Sequence, residues 1–523
     1  MRRDGLRRGG PTVARRARSV GDDPLDEWTA LLASPQWTEP TDRSRDAYWR
    51  DGHFEYVPAG PAAQPLQAAQ PAQAVAPWKD AAESDRAGRT LFVILCWFAL
   101  ATSLELWWLD TPAGSLAAPA DVWLAVGRIT GLLGGFVLLL QLLLMSRVGW
   151  LERWIGAHAL LAWHRELGVY VLLAVLGHVA ASVTGYALQL GEPILPELWN
   201  MATAYRDMVF ASIGTLILVG VAVLALRSLR RRLSYEAWYY LHLSAYAVVV
   251  LGYFHQFTAG QQFMGDGFAP WYWRGLYAFV LGCLVWGRVV APLVLNVRHR
   301  LRVVDVVSEG DTPGMMSIYI GGRALDRLPA RAGQYFRWRF LTRRGWWQAH
   351  PFSLSAAPHA RWLRLTVKVV GDHTRDLQAL RSGVRVLAEG PSGVFTADRS
   401  VRRRALLIAG GSGVAPIRAL LEDLPRGTIM IYRAASAAEV LFRDEFDWLA
   451  THRGAYICYV LGGRDDPGPR HLFTPRGLRE LVPDVAHRDV FLCGPPGLVE
   501  AARKTLRKLR VRRRQIHLDP FEF

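Results

Sequence analysis

Six apolar runs lie between residues 90 and 295, and they constrain the fold more than any other feature of the chain. They span roughly 90–109, 122–145, 158–183, 208–226, 237–257 and 272–295. Each is about 18–26 residues long, enough to cross a hydrocarbon core of about 30 Å as a helix. The loops between them alternate in charge. Arg86 and Arg89 precede the first run, and Arg147 and Arg153 lie between the second and third. Arg227, Arg230, Arg231 and Arg232 follow the fourth, and Arg298, Arg300 and Arg302 follow the sixth. The other loops carry mainly acidic residues. The positive-inside rule therefore predicts a multi-pass protein of the plasma membrane with both termini in the cytoplasm.

Composition agrees with a membrane chain: 51% of residues are hydrophobic and 21 are Trp. The formal net charge of +17 resides largely in an Arg-rich N-terminal tail and in the short loops. That placement is topogenic and excludes nucleic acid as an expected partner. The four cysteines, Cys96, Cys283, Cys458 and Cys493, have no metal-ligand spacing and suggest no disulfide framework. A plant-type ferredoxin module is excluded on the same ground. No apolar core precedes residue 90, so no cleavable secretory signal is expected. Residues 1–85 are polar and non-periodic, with a Pro/Ala/Gln-rich linker at 64–77, and are expected to form a disordered cytosolic tail. Residues 86–297 are expected to form the six-helix transmembrane domain.

Two of the runs carry histidine pairs. His164 and His178 stand 14 residues apart in the third run, and His242 and His255 stand 13 apart in the fifth. An ionisable residue in a membrane span is costly and marks function by default. Both runs start on the basic side, so the pairs match in depth: His164 with His242 inside, His178 with His255 outside. At 1.5 Å per residue the two levels are about 20 Å apart, which suits two haems, each held by one His from each helix. Fourteen residues return to within about 40° of the same helix face, whereas thirteen miss by about 140°. The second pair therefore needs a helix distortion, for which Gly252 is available. The simpler alternative is that each His hydrogen-bonds to a neighbouring helix. Arg128, in the second run, should lie near the outer level. It would meet either a haem propionate or anionic intermediate, or Glu105 in an interhelical ion pair.

Beyond residue 298 the pattern shortens. Alternating stretches at 301–307, 316–321, 335–340 and 363–370 predict an antiparallel β-barrel over 298–400. From 401 to 523 the pattern is β-α-β, with strands expected at 405–409, 429–432, 456–460 and 489–493, which predicts a parallel sheet. The barrel carries His350-Pro351-Phe352-Ser353-Leu354-Ser355, then Lys368, Gly371 and Thr374 in a second motif, then Gly390-Pro391-Ser392-Gly393. Their order before a β-α-β unit predicts a site for FAD, with short hydroxyl donors at Ser353 and Ser355. Gly410-Gly411-Ser412-Gly413 joins a strand to a helix that has Pro416 in its first turn. Such a turn lets backbone approach a pyrophosphate at a helix N-terminus. Cys493-Gly494-Pro495 ends a later strand, where Cys493 is expected beside a nicotinamide. Arg433 ends another, where it would meet a 2′-phosphate, favouring NADPH over NADH. Phe523 is expected to stack on the flavin and yield to nicotinamide.

This combination resembles the ferric reductase and NADPH oxidase superfamily, in particular its bacterial ferric reductase-like members. The resemblance covers residues 90–523 and rests on the His spacings, Gly127-Arg128, His164-Arg165 with Gly168, and the motifs just quoted. It implies b-type haems, FAD in the barrel, and hydride arriving in the cytosol. It also implies that Arg128 stands near the outer haem. Ser182 stands where animal oxidases carry a further His implicated in oxygen reduction, a departure that argues against dedicated superoxide production. The expected function is an NAD(P)H-dependent oxidoreductase passing electrons via FAD and two haems to an extracytoplasmic small-molecule acceptor, an Fe(III) chelate or O2. An electron donor to a protein partner, and a haem-free anchored flavoreductase, are the competing readings.

Overall fold

The computed structural model describes residues 44–519, apart from 51–52, 58–77, 113, 205, 261–262, 265–266, 310–313 and 344. Phe523 and the rest of the extreme C-terminus lie outside the described residues.

The expected six spans are present as helices long and apolar enough to cross a membrane. The first four crossings are α1 (Trp78–Leu109), α2 (Pro119–Leu144), α4 (Ala157–Leu190) and α5 (Arg206–Ala225), with the short α3 (Gly149–Ile155) between α2 and α4. Large apolar side chains point outward along them, for example Leu216 at 72% and Trp97 at 67% exposure. A bilayer covers such a surface, whereas water would not tolerate it. α2 and α4 pack closely because small residues line their contact. A Cβ on Gly131 would stand 2.7 Å from His178 Nδ1, so only glycine leaves room for that ring.

The fifth crossing is broken. α6 (Tyr235–Leu243) and α7 (Ala245–Ala259) meet at Ser244, whose hydroxyl donates to the Leu241 carbonyl at 2.6 Å. Bonds from Ser244 N to Leu241 O and from Ala247 N to Ser244 O tighten the chain to i→i+3 pairing here. Each residue in such a turn rotates about 120° instead of 100°, which carries His255 toward the face that holds His242. Gly252, where the distortion was expected, sits inside the unbroken α7. The sixth crossing runs through α8 (Phe268–Val285), a widened π turn at Trp286–Val290, and α9 (Ala291–His299). Pro292 offers no N–H to the preceding turn, and the extra residue absorbs that loss. Arg288 in the bulge donates Nε and Nη2 to the Met145 carbonyl at 3.0 and 2.7 Å, satisfying the end of α2.

The barrel consists of two antiparallel three-stranded sheets, β3–β4–β7 and β6–β5–β8. These strands are β3 (Arg302–Ser308), β4 (Met315–Gly321), β5 (Tyr335–Phe340), β6 (His350–Ser353), β7 (Trp362–Lys368) and β8 (Val386–Ser392). Ile318, Phe336, Trp338, Leu354 and Leu365 fill the space between them, each contributing about 1.5–3 kcal/mol by burial. The third domain is a seven-stranded sheet in the order β13–β12–β9–β10–β11–β1–β2. Its strands are β9 (Ala405–Gly410), β10 (Ile429–Ala434), β11 (Tyr456–Leu461), β12 (Asp489–Cys493) and β13 (Ile516–Leu518), joined by β1 (Ser44–Arg50) and β2 (His53–Val57). Helices α10 (Val414–Asp423), α11 (Arg443–Arg453) and α12 (Pro496–Lys508) cover its faces.

The presence of β1 and β2 corrects the expectation of a disordered tail through residue 85. β1 pairs parallel to β11 and antiparallel to β2, so an edge that would otherwise expose unpaired backbone groups is covered. The two strands are aromatic-rich and flank Asp51-Gly52, a strong hairpin signal that compositional reading of the tail overlooked.

Candidate redox sites

Both expected histidine pairs come together. The rings of His164 and His242 have centroids 5.9 Å apart, and those of His178 and His255 are 6.1 Å apart. Two imidazoles on opposite sides of one metal stand about 6 Å apart, since each metal–nitrogen bond is about 2 Å and each ring centre lies about 1 Å beyond. His178 Nδ1 lies 2.7 Å from the Gly127 carbonyl. A carbonyl only accepts, so Nδ1 holds the proton and Nε2 keeps its lone pair for a metal. The donor set and spacing fit two bis-imidazole irons. Trp238 stacks on His242 at 5.0 Å and 8°, fixing that ring's plane. Arg128 is exposed on α2 and makes no ion pair with Glu105 among the described residues, so that alternative falls away.

The barrel docks against the end of this bundle formed by Arg147, α3 and α9. Asn296 on α9 pairs through its side-chain amide with both N and O of Ala388, each at 2.9 Å. Glu389 is held by Arg147 and Arg339. Burial works to raise the Glu389 pKa, but the two guanidinium groups outweigh it and hold the carboxyl below its usual range. Arg147 is lowered to about 10, first by burial and then by Arg337 and Arg288. Glu152 on α3 accepts from the Gly393 N–H at 2.8 Å and the Ser392 hydroxyl at 3.2 Å. Gly390 and Gly393 thus lie at the membrane seam, and the Gly393 N–H is already occupied. Tyr335 on β5 pairs with Ser353 on one side and Ser392 on the other, so both motifs share one end of the sheet. A cavity of about 750 Å³ opens at this seam, lined by Arg147, Glu152, Arg337, Glu389 and Gly393 among others. Its size is that of a cofactor cleft.

His350-Pro351-Phe352-Ser353 is itself strand β6, with the His350 and Phe352 rings stacked at 5.8 Å. Ser355 is fully buried and bonded to Arg364 Nε at 3.1 Å and Thr366 Oγ1 at 2.7 Å. It belongs to a core network and is not available to a flavin, contrary to expectation. Lys368 is exposed at the end of β7, and Thr374 Oγ1 accepts from Gly371 N at 3.1 Å, shaping the turn between them.

The nucleotide motifs converge as expected. Gly411 has φ +55°, and a Cβ on Gly413 would stand 2.5 Å from the Cys493 carbonyl. The close approach of these loops therefore needs glycine. Gly410 and Gly494 are also in contact range, and Pro416 is buried in the first turn of α10. Cys493 is fully buried and its thiol donates to the Asp519 carbonyl at 3.2 Å. Burial, then the Asp519 charge, pushes the thiol well above its ordinary pKa, so it is a packing and positioning group in its neutral form. Asp519 was not anticipated. Its carboxylate accepts from Ser353, so it joins the flavin motif to the cysteine, and burial raises its pKa to about 6. No sequence motif flags it; only the return of β13 beside β12 brings it there. Arg433 is also differently placed: its guanidinium donates to the carbonyls of Ala434, Gly462 and Gly463.

Three family models match in order along the chain. A ferric reductase like transmembrane component matches residues 130–253, an FAD-binding domain residues 312–397, and an oxidoreductase NAD-binding domain residues 407–504. Their succession on one polypeptide decides the assignment. The chain belongs to the ferric reductase and NADPH oxidase superfamily. It is an NAD(P)H-dependent flavocytochrome-type oxidoreductase of the membrane, whose barrel and parallel-sheet modules match FAD-binding and NAD-binding domains.

Relatives of this ferric reductase-like protein match less than half of it. The reductase subunit of an aromatic O-demethylase from Amycolatopsis sp. is 30% identical over 45% of this chain and 72% of its own length. An NADH-cytochrome b5 reductase 1 from Ajellomyces capsulatus is 28% identical over 30% of this chain and 56% of its own. An NADPH oxidoreductase from Mycobacterium tuberculosis is 28% identical over 42% and 60%. The chain thus covers little more than half the length of two of these three relatives.

Proposed function

We propose that this protein moves electrons from cytosolic NAD(P)H, through FAD and two b-type haems, to an extracytoplasmic acceptor, chiefly ferric iron. The two histidine pairs at 5.9 and 6.1 Å carry the reading, because they stand in the bundle on which the flavin module docks. His164 and His242 would hold the inner haem, and His178 and His255 the outer. When bound, FAD takes up a two-electron hydride and haem carries single electrons, so the pair converts one currency to the other. Ser353, Cys493 and Asp519 shape the place where nicotinamide meets flavin. The shared end of β5, β6 and β8 turns that place toward the membrane seam. All imidazole positions on each iron being filled, an acceptor would react at the haem edge. Arg128, without a carboxylate partner among the described residues, suits a propionate or an anionic chelate there. Orientation with both termini cytoplasmic follows from the basic loops.

The test is an absorbance spectrum of purified, FAD-supplemented protein before and after anaerobic nucleotide. Low-spin haem b bands that reduce on addition are expected. Ferric citrate and O2, added in turn, then identify the acceptor; reoxidation by O2 alone would transfer the protein to the oxidase class. His178→Ala or His255→Ala should abolish transmembrane reduction while cytosolic ferricyanide reduction persists. Flavin bleaching without haem bands would leave an anchored flavoreductase.

A further inference from the structure

The carboxyl edge of β10 and β11 is where an adenosine ribose would lie, since nucleotides bind beyond the carboxyl ends of parallel strands. Selection between the two nicotinamide nucleotides turns on what meets the ribose 2′ position: a carboxylate suits a hydroxyl, a free guanidinium suits a phosphate. At this edge Arg433 has its two terminal nitrogens on the carbonyls of Ala434, Gly462 and Gly463. Those bonds close the loop after β11, and breaking them would leave carbonyls unpaired. Two carboxylates flank it. Glu439 Oε2 accepts from Ala435 N at 3.2 Å, which holds it just past the last residue of β10. Asp466 Oδ2 accepts from Gly463 N at 2.5 Å. Both are exposed, so each keeps a free oxygen toward solvent. Another exposed cation of this edge, Arg464, reaches the other way: its Nη2 stands 3.3 Å from where a Cβ on Gly497 would lie. That places it over the helix start after Cys493-Gly494-Pro495, at the pyrophosphate end.

We infer that Glu439, supported by Asp466, makes this protein select NADH over NADPH, by accepting a hydrogen bond from the ribose 2′-hydroxyl and repelling a 2′-phosphate. The inference rests on the proposed reading that this sheet edge delivers hydride to the flavin, and it reverses the preference suggested by Arg433 in the sequence. Like charges brought together at a binding surface cost several kcal/mol, so a preference of at least about tenfold in kcat/KM is expected, tenfold being about 1.4 kcal/mol.

The experiment uses the full-length, FAD-loaded protein in detergent, with ferricyanide as acceptor. kcat/KM is measured for NADH and NADPH, and inhibition by 2′-AMP is compared with inhibition by 5′-AMP. NADH favoured at least tenfold, with 2′-AMP the poorer inhibitor, supports the inference. Glu439→Gln should then raise kcat/KM for NADPH by about tenfold and improve inhibition by 2′-AMP. Asp466→Asn in the same chain should extend that gain. Equal use of the nucleotides, a preference for NADPH, or an unchanged ratio in the Glu439→Gln protein would overturn it. Failure of both nucleotides to reduce the flavin would instead overturn the proposed function, and with it the basis of the inference.

Discussion

Two buried carboxylates set opposite pH dependences. Asp519 has its pKa raised from 3.8 to about 6, chiefly by burial. A group raised on folding contributes stability below its unfolded pKa, and that contribution is lost as pH rises through the folded value. Wild-type protein should therefore lose stability between about pH 4 and 6, while Asp519→Asn should not. At pH 8 the variant should be more stable by about 1–3 kcal/mol, read as a higher unfolding midpoint. An inflection near pH 6 in nucleotide-driven flavin reduction should vanish in the same variant. Glu445 on α11 behaves in the other sense. Burial works to raise its pKa, but Arg364 and Arg418 overcome this and bring it to about 2. Arg364 Nη1 lies 2.6 Å and Arg418 Nε 2.5 Å from its carboxylate. Arg364 comes from the barrel and Arg418 from α10, so Glu445 ties the two soluble domains together. Its stabilisation is present above about pH 4.5 and is lost as pH falls toward 2. Glu445→Gln leaves the buried Arg364 guanidinium without its carboxylate partner and Arg418 with Glu422 alone, and should cost about 3–5 kcal/mol, measured by denaturant titration.

Among the elements, the α2–α4 contact carries the sharpest steric demand. Gly131 has no space for a side chain against His178. On the proposed two-haem reading, Gly131→Leu should displace that ring and halve the haem content per flavin while leaving ferricyanide reduction intact. Retention of two haems would show that the α2–α4 contact can open without cost. The fifth crossing illustrates what helical periodicity cannot anticipate. A uniform rotation of about 100° per residue leaves His242 and His255 out of phase, and the sequence offered Gly252 as the likeliest breaker by residue type. The break falls instead at Ser244, where a hydroxyl bonded back to Leu241 stabilises a tight turn. The N-terminal hairpin was similarly concealed, because its covering of the β11 edge depends on a partner strand about 400 residues away in sequence.

At the scale of the molecule, the proposed electron path depends on the seam between bundle and barrel. Asn296 holds β8 against α9 through two bonds to Ala388, two residues before Gly390. Asn296→Ala should loosen that docking and slow haem reduction by about tenfold or more, while flavin reduction by nucleotide stays near wild type. Stopped-flow traces at flavin and haem wavelengths separate the two steps. Equal rates in both proteins would mean that the remaining seam contacts, those of Glu152, Glu389 and the Arg399–Asp85 pair, suffice.

Hydrophobic length, charge alternation and the four histidines made the six spans and the paired imidazoles legible, because a bilayer imposes those constraints residue by residue along the chain. The Gly-rich turns and strand alternation likewise declared the barrel and the parallel sheet, since turn geometry and pleat are local properties. What Ser355 and Arg433 do was not legible: each residue type suits a cofactor, yet both are spent on neighbours distant in sequence. Asp519 gained its place only when β13 returned beside β12, between a serine and a cysteine of two different motifs. Local pattern determined which elements form and which chemistry they carry; tertiary contact alone decided which polar groups remain free to use it, because a buried donor or acceptor must be satisfied by whatever the fold brings to it.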